Sequence, residues 1–181
     1  DYYCTSEAWS VKKSAQRVLI ATNSWLYSQT RRGEYRYDTG RGYVCTLSAL
    51  VIKSTTAHIF HVGDSRIYRL RGKALEPLTD DHRVRVSAET SYLSRALGMN
   101  AQLEIDYQAL GVEKGDIFFL ETDGVYEYAA AKFIAAAIAE HANNLDAAAK
   151  VIVAEADRRG STDNLTAQII RVEELPTRDS D

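Results

Sequence analysis

Proline, methionine and cysteine are scarce in this chain, and a long apolar run is missing altogether. The 181 residues include two prolines, one methionine and two cysteines. No apolar stretch nears the roughly 18 residues that a membrane-spanning helix needs, so no membrane segment is expected. Two cysteines, Cys4 and Cys45, without a Cys-x-x-Cys pattern exclude a disulfide framework and fit a reducing, cytoplasmic compartment. Both read as structural. The first residues, "DYYCTSEAW", have no basic start, no apolar signal region and no initiator methionine, and the chain reads as a piece of something longer. A basic stripe is also lacking: the net charge is −3 and the pI about 5.8, which argues against a nucleic-acid partner. The basic clusters at Arg31-Arg32, at Arg69, Arg71 and Lys73, and at Arg83 and Arg85 read as solvated surface, or as a landing area for phosphorylated substrate. There is no Gly-rich phosphate loop, no Gly-x-Ser-x-Gly elbow, and no cysteine leading into a phosphate cradle.

What is present is a chain with 45% hydrophobic and 26% charged residues, enough for one globular domain with a sizeable core. The apolar spacing over 10–28 (Val11, Ala15, Val18, Leu19, Thr22, Trp25, Leu26) predicts an amphipathic helix. Ser10 is its N-cap, and a sheet is the expected partner for its stripe. Residues 29–43 read as loop. Strands are predicted over 45–53, 57–64, 65–71 and 75–79, with a turn at Arg71-Gly72-Lys73, and strands so close in sequence should pair as antiparallel meanders. Residues 80–101 are irregular, with a short helix ending at "SRALG". Further strands are expected over 103–110, over 116–122 (buried on both faces) and over 164–172. The Ala-rich runs 129–142 and 145–159 predict two helices, separated at Asn143-Asn144 and ended by Gly160. Strands arriving in runs rather than in a β-α-β rhythm predict an α+β fold with antiparallel sheets flanked by helices. The domain spans 1–172, and 173–181 is a tail or linker.

Three aspartates stand out by position. Asp64 ends "HIFHVGD", Asp123 follows "DIFFLET", and Asp163 precedes "NLTAQIIRV". Gly63-Asp64-Ser65 alone suits a hairpin turn as well as a charge-holding strand end. If the three strand ends converge, the carboxylates repel by roughly 1–4 kcal/mol per pair, so they protonate, spread or bind cations. All-oxygen ligation suits Mg²⁺ or Mn²⁺. The histidines add little. His58 and His61 lie on opposite strand faces, and His82 has no metal-ligand spacing and reads as a hydrogen-bonding residue.

"HVGDSRIY", "LTDDH", "SRALG", "DIFFLETDG" and "STDNLTAQIIRV", in that order, resemble the later motifs of the metal-dependent type-2C protein serine/threonine phosphatases, the PPM family, from about Cys45 to Val172. The opening segment is similar to that of bacterial members fused to a protein kinase. The resemblance implies an αββα sandwich of two antiparallel sheets flanked by helices. The implied chemistry is hydrolysis of phosphoserine and phosphothreonine in proteins without a phosphoenzyme, the attacking hydroxide coming from two Mg²⁺ or Mn²⁺ ions about 3.5–4 Å apart. Residue by residue, it implies that Asp123 and Asp163 share a core ion and act catalytically through the water it carries. Asp64, with Asp123, would hold a weaker third ion. Gly63, Ser65, Gly124 and Asn164 are supporting positions, and Arg66 supports structure through an ion pair. The implied partners are phosphorylated proteins and a Ser/Thr kinase domain in the same full-length chain.

The family's N-terminal Asp-Gly-x-Gly-Gly, whose aspartate bridges the core ions, does not occur here; the one Asp-Gly pair is Asp123-Gly124. The segment "RVRVSAETSYL" is also shorter than the flap of many members, which implies an open cleft with little peptide selectivity. The expectation is therefore that this 181-residue chain alone hydrolyses phosphomonoesters weakly or not at all. A non-catalytic pseudophosphatase that binds phosphoproteins or regulates a fused kinase is the alternative. The retained carboxylates favour the enzyme, since a scaffold has no need of clustered charge.

Overall fold

The first helix starts where its cap is. In this computed structural model, which describes residues 10–38, 41–72, 74–87 and 91–176, the Ser10 hydroxyl accepts from the Lys13 amide at 3.3 Å and α1 runs over Val11–Arg32. It extends beyond the predicted end because Gly33 caps it, donating its amide to the Gln29 and Thr30 carbonyls. Val11, Ala15 and Leu19 pack with Phe60, as the spacing predicted. Thr22 and Trp25 do not: both are exposed. At 3.6 residues per turn the buried stripe passes instead through Asn23, which is 1% exposed, to Thr30.

Two compact units form, each from two stretches of chain. Of the described residues, the first holds those up to 63 and from 82 to 110, the second those from 64 to 81 and from 111 onward. In the first, β1 (Leu47–Lys53) and β2 (Thr56–Val62) pair antiparallel from Leu47↔Val62 to Lys53↔Thr56, and β7 (Asp106–Gly111) flanks β2. Helix α1 covers this sheet through Phe60, Ala49, Val51 and Tyr107. β5 (Arg83–Arg85) and β6 (Ser91–Leu93) also pair antiparallel in this unit. The short helix expected at "SRALG" is not formed. Leu97 exchanges backbone hydrogen bonds with Cys45 at 2.8 and 3.1 Å, Gly98 has φ +80°, and its amide donates to the Asn23 side chain at 2.8 Å. A helical turn cannot make these bonds and its own. Cys45 itself is exposed and contributes through its backbone, whereas Cys4 lies outside the described residues.

In the second unit the sheet order is β4-β3-β8-β9, all antiparallel: β3 is Arg66–Arg71, β4 Ala74–Pro77, β8 Ile117–Glu121 and β9 Ala167–Arg171. Phe118 and Phe119 are both fully buried, as a strand covered on both faces requires. Helices α3 (Ala131–Glu140) and α4 (Leu145–Arg158) pack Ile134, Ile138 and Ile152 with Phe119 and Leu70. Asn144 caps α4, accepting from the Ala147 amide at 3.1 Å. A short helix, α2 (Asp123–Tyr126), follows β8 directly and was not foreseen.

The predicted meander is interrupted. β2 and β3 belong to different sheets, and Gly63-Asp64-Ser65 is the point of departure, not a hairpin turn. Gly63 has φ +125°, and a Cβ there would sit 2.4 Å from Thr46 side-chain carbons, so only glycine makes this exit. The tail residues 173–176 carry no regular structure, and 177–181 lie outside the described residues. Among the described residues no helix is long and apolar enough to cross a membrane.

Candidate active site

Asp123 and Asp163 are brought together by the end of β8 and the approach to β9. The pairing Glu121↔Ala167 holds the two strands in register, and Thr122 extends it. The Thr122 amide donates to the Thr166 carbonyl at 3.2 Å, and its hydroxyl donates to the Asn164 carbonyl at 3.3 Å. Gly124 then packs on the neighbouring loop. A Cβ on it would lie 2.6 Å from the Asn164 carbonyl oxygen and 3.2 Å from the Asp163 Cβ. Ser161 ties the same place, its hydroxyl donating to the Gly124 carbonyl at 2.9 Å. Each carboxylate is oriented by the amide that follows it: Asp123 Oδ1 accepts from Gly124 at 3.0 Å, and Asp163 Oδ1 from Asn164 at 2.7 Å. Asn164 thus acts through its backbone, on both sides.

Asp64 stands at the head of β3 and is 9% exposed. Among the described residues no group of three or more His, Cys, Asp or Glu side chains is gathered closely enough to hold a metal ion. Gly124, beside Asp123, packs on the Asp163–Asn164 segment, and no three-carboxylate group with Asp64 is found among the described residues. The pair fits a divalent cation by its chemistry, because Mg²⁺ is commonly held by one or two carboxylates while keeping several waters.

Sequence reasoning missed what surrounds Arg66. Its guanidinium makes a two-pronged pair with Asp81, Nε to Oδ1 at 2.9 Å and Nη2 to Oδ2 at 2.8 Å. It also lies over the Tyr126 ring, 3.5 Å from its centre, and donates to the Tyr68 hydroxyl at 3.4 Å. Opposite Arg66 in the ladder is Glu121, 3% exposed, with Oε2 making no hydrogen bond. Burial pushes the Glu121 carboxyl up to about 8, against the pull of Arg66. Only a carboxylate where a strand alternation expects an apolar residue could have signalled it.

In the first unit, His82 is buried and hydrogen-bonded, as the sequence suggested. Its Nδ1 must accept from the Gly63 amide at 3.0 Å, so the proton sits on Nε2 and is donated to Asp106 at 2.9 Å. Its main-chain amide donates to the Gly63 carbonyl at 2.7 Å. His58 and His61 take separate partners, Tyr107 and Ser48.

A family model described as "Protein phosphatase 2C" matches residues 5–163. The chain belongs to the protein phosphatase 2C family. It is similar to the protein phosphatase PhpP of Streptococcus pneumoniae, 24% identical over 149 residues that cover 74% of this chain and 60% of that protein. It thus spans about 60% of the length of such relatives. Among solved structures, PppA of Pseudomonas aeruginosa superposes with a TM-score of 0.80 at 26% identity, covering 94% of this chain and 75% of that one. The catalytic domain of the serine/threonine phosphatase PstP in complex with two manganese ions superposes with a TM-score of 0.78 at 21% identity, covering 93% and 74%. The fold is α+β with antiparallel sheets and helices, as the run of strands predicted.

Proposed function

We propose that this chain is the larger part of a phosphatase domain that hydrolyses phosphoserine and phosphothreonine in proteins with the help of divalent cations, Mg²⁺ or Mn²⁺. The observation that supports the reading is the packing of Gly124, next to Asp123, on the Asp163–Asn164 segment, inside a 2C-family match. Bound cations supply a nucleophilic water near neutral pH and offset charge on the phosphoryl oxygens. The chain's own contribution is to aim carboxylate oxygens. Oδ1 of each aspartate is fixed by a backbone amide, which sets the direction of the whole carboxylate. Asp64 is the proposed ligand of a further, weaker ion, with Gly63 and Ser65 shaping its approach. Phosphoproteins are the proposed substrates, a kinase domain in the full-length chain the proposed neighbour, and the cytoplasm the proposed compartment.

The test is Mn²⁺-dependent hydrolysis of an aryl phosphate and of a phosphothreonine peptide by the full-length protein and by the 181-residue chain. Full-length protein should turn over both, with Asp123→Asn or Asp163→Asn lowering kcat/KM at least a hundredfold. The 181-residue chain, without an Asp-Gly-x-Gly-Gly segment, should be weak or inactive. A full-length protein inactive with every divalent ion would instead favour a non-catalytic phosphoprotein-binding domain.

A further inference from the structure

We propose that Arg66, stacked on Tyr126, is a positioning residue that fixes the direction of Asp123. The inference rests on the reading of Asp123 and Asp163 as metal ligands. The ladder between β3 and β8 ends at Arg66↔Glu121, so the sheet itself stops before Asp123. Beyond it lies α2, only four residues long and without a side-chain cap at Thr122. A helix this short has little stability of its own, and its orientation must come from outside. One side is held by Gly124 against residues 163–164. Val125 is buried in the core, and a further hold is at Tyr126, the last residue of α2, whose ring lies under the Arg66 guanidinium at 3.5 Å. The guanidinium is itself immobilised by both oxygens of Asp81. Three stretches of chain, at 66, at 81 and at 123–126, therefore meet at one planar cation. Arginine suits this role and lysine does not. Only the guanidinium offers a flat face to the ring and a fork to the carboxylate at once.

The experiment measures Mn²⁺ affinity of the full-length protein by electron paramagnetic resonance of the free ion, beside thermal melting of each variant in chelator. Arg66→Lys keeps the positive charge facing Asp81 and Glu121 but removes the flat face. Tyr126→Leu removes the ring, and Tyr126→Phe restores it. The expected result is an affinity at least tenfold weaker in Arg66→Lys and in Tyr126→Leu, with Tyr126→Phe within about twofold of wild type. A folded Tyr126→Leu or Arg66→Lys that binds Mn²⁺ like wild type, while Asp123→Asn loses it, overturns the positioning role alone. If Tyr126→Leu does not fold, Arg66→Lys decides against Tyr126→Phe by the same criterion. An Asp123→Asn protein that binds Mn²⁺ unchanged removes the metal-site reading and this inference with it.

Discussion

Gly124 shows how little room the pair of aspartates leaves between the chain segments that carry them. A Cβ there would meet the Asn164 carbonyl, the Asp163 Cβ and the tip of Leu165, and the first two cannot swing away as the Leu165 tip can. Gly124→Ala should therefore cost about 1–3 kcal/mol, the usual penalty of overpacking. The displaced atoms belong to the segment that carries Asp163 and the Asn164 amide aiming it, so Mn²⁺ affinity should fall as well. Gly111→Ala is the control, since a Cβ there meets nothing within 4 Å and φ is ordinary. It should melt within a degree or two of wild type, while Gly124→Ala melts several degrees lower. At this scale the sequence was partly readable. Asp123 and Asp163 could be picked out because they interrupt or abut apolar strands, and the packing of Gly124 on residues 163–164 shows that their segments meet. Arg66 was legible as an ion-pair former, but its ring partner was not, because Tyr126 lies on a helix too short to show a period. Glu121 was legible only as a carboxylate inside a run expected to be buried on both faces, and its partner across the ladder, Arg66, could not be read from the sequence.

Elements are held by their ends as much as by their faces. Helix α4 starts at Asn144, whose side chain satisfies the Ala147 amide, has Asp146 in its first turn and Arg158 in its last, and buries Ala148, Ile152 and Ala156. Charge at both ends complements the helix dipole. Asn144→Ala should cost about 1 kcal/mol by leaving that amide unsatisfied. For a chain of this length that lowers the melting temperature by roughly 2–4 °C. Asn144→Asp should stay near wild type, because it keeps the acceptor. Equal melting of the alanine and aspartate variants would mean the cap contributes nothing. The strands and the two Ala-rich helices were readable because burial imposes their periods of 2 and 3.6. Assignment of strands to sheets was not. Nothing local to β2 and β3 states that they part, and the positive-φ glycine that parts them, Gly63, is also what an ordinary turn would contain. The error at "SRALG" has the same origin, since Asn23, 75 positions away, claims the Gly98 amide that a helix would have used.

For the whole molecule, acidity is where opposing groups add up. Asp116 is buried and gripped by the Arg71 fork at 2.7 Å, which holds its carboxyl below the usual range against the cost of burial. Burial raises Asp106, but hydrogen bonds from His82 and Arg95 outweigh it and leave that carboxyl low as well. A carboxyl depressed in the folded state contributes stability above its unfolded pKa and loses it as pH falls through the folded one. Both aspartates therefore withdraw support below about pH 4. Glu121 runs the other way. Its folded value of about 8 exceeds the ordinary 4.5, so its contribution is complete below 4.5 and disappears as pH rises towards 8. For a carboxyl this buried the loss is on the order of a few kcal/mol. Thermal melting in chelator from pH 3 to 8.5 should then show two limbs, with the maximum near pH 5. Asp116→Asn should lower the plateau and flatten the acid limb, and Glu121→Gln should flatten the alkaline limb while leaving the acid one intact. If Glu121→Gln melts in parallel with wild type from pH 5 to 8.5, the buried carboxyl does not bind its proton in the folded chain, and Arg66 neutralises it as an ion pair instead.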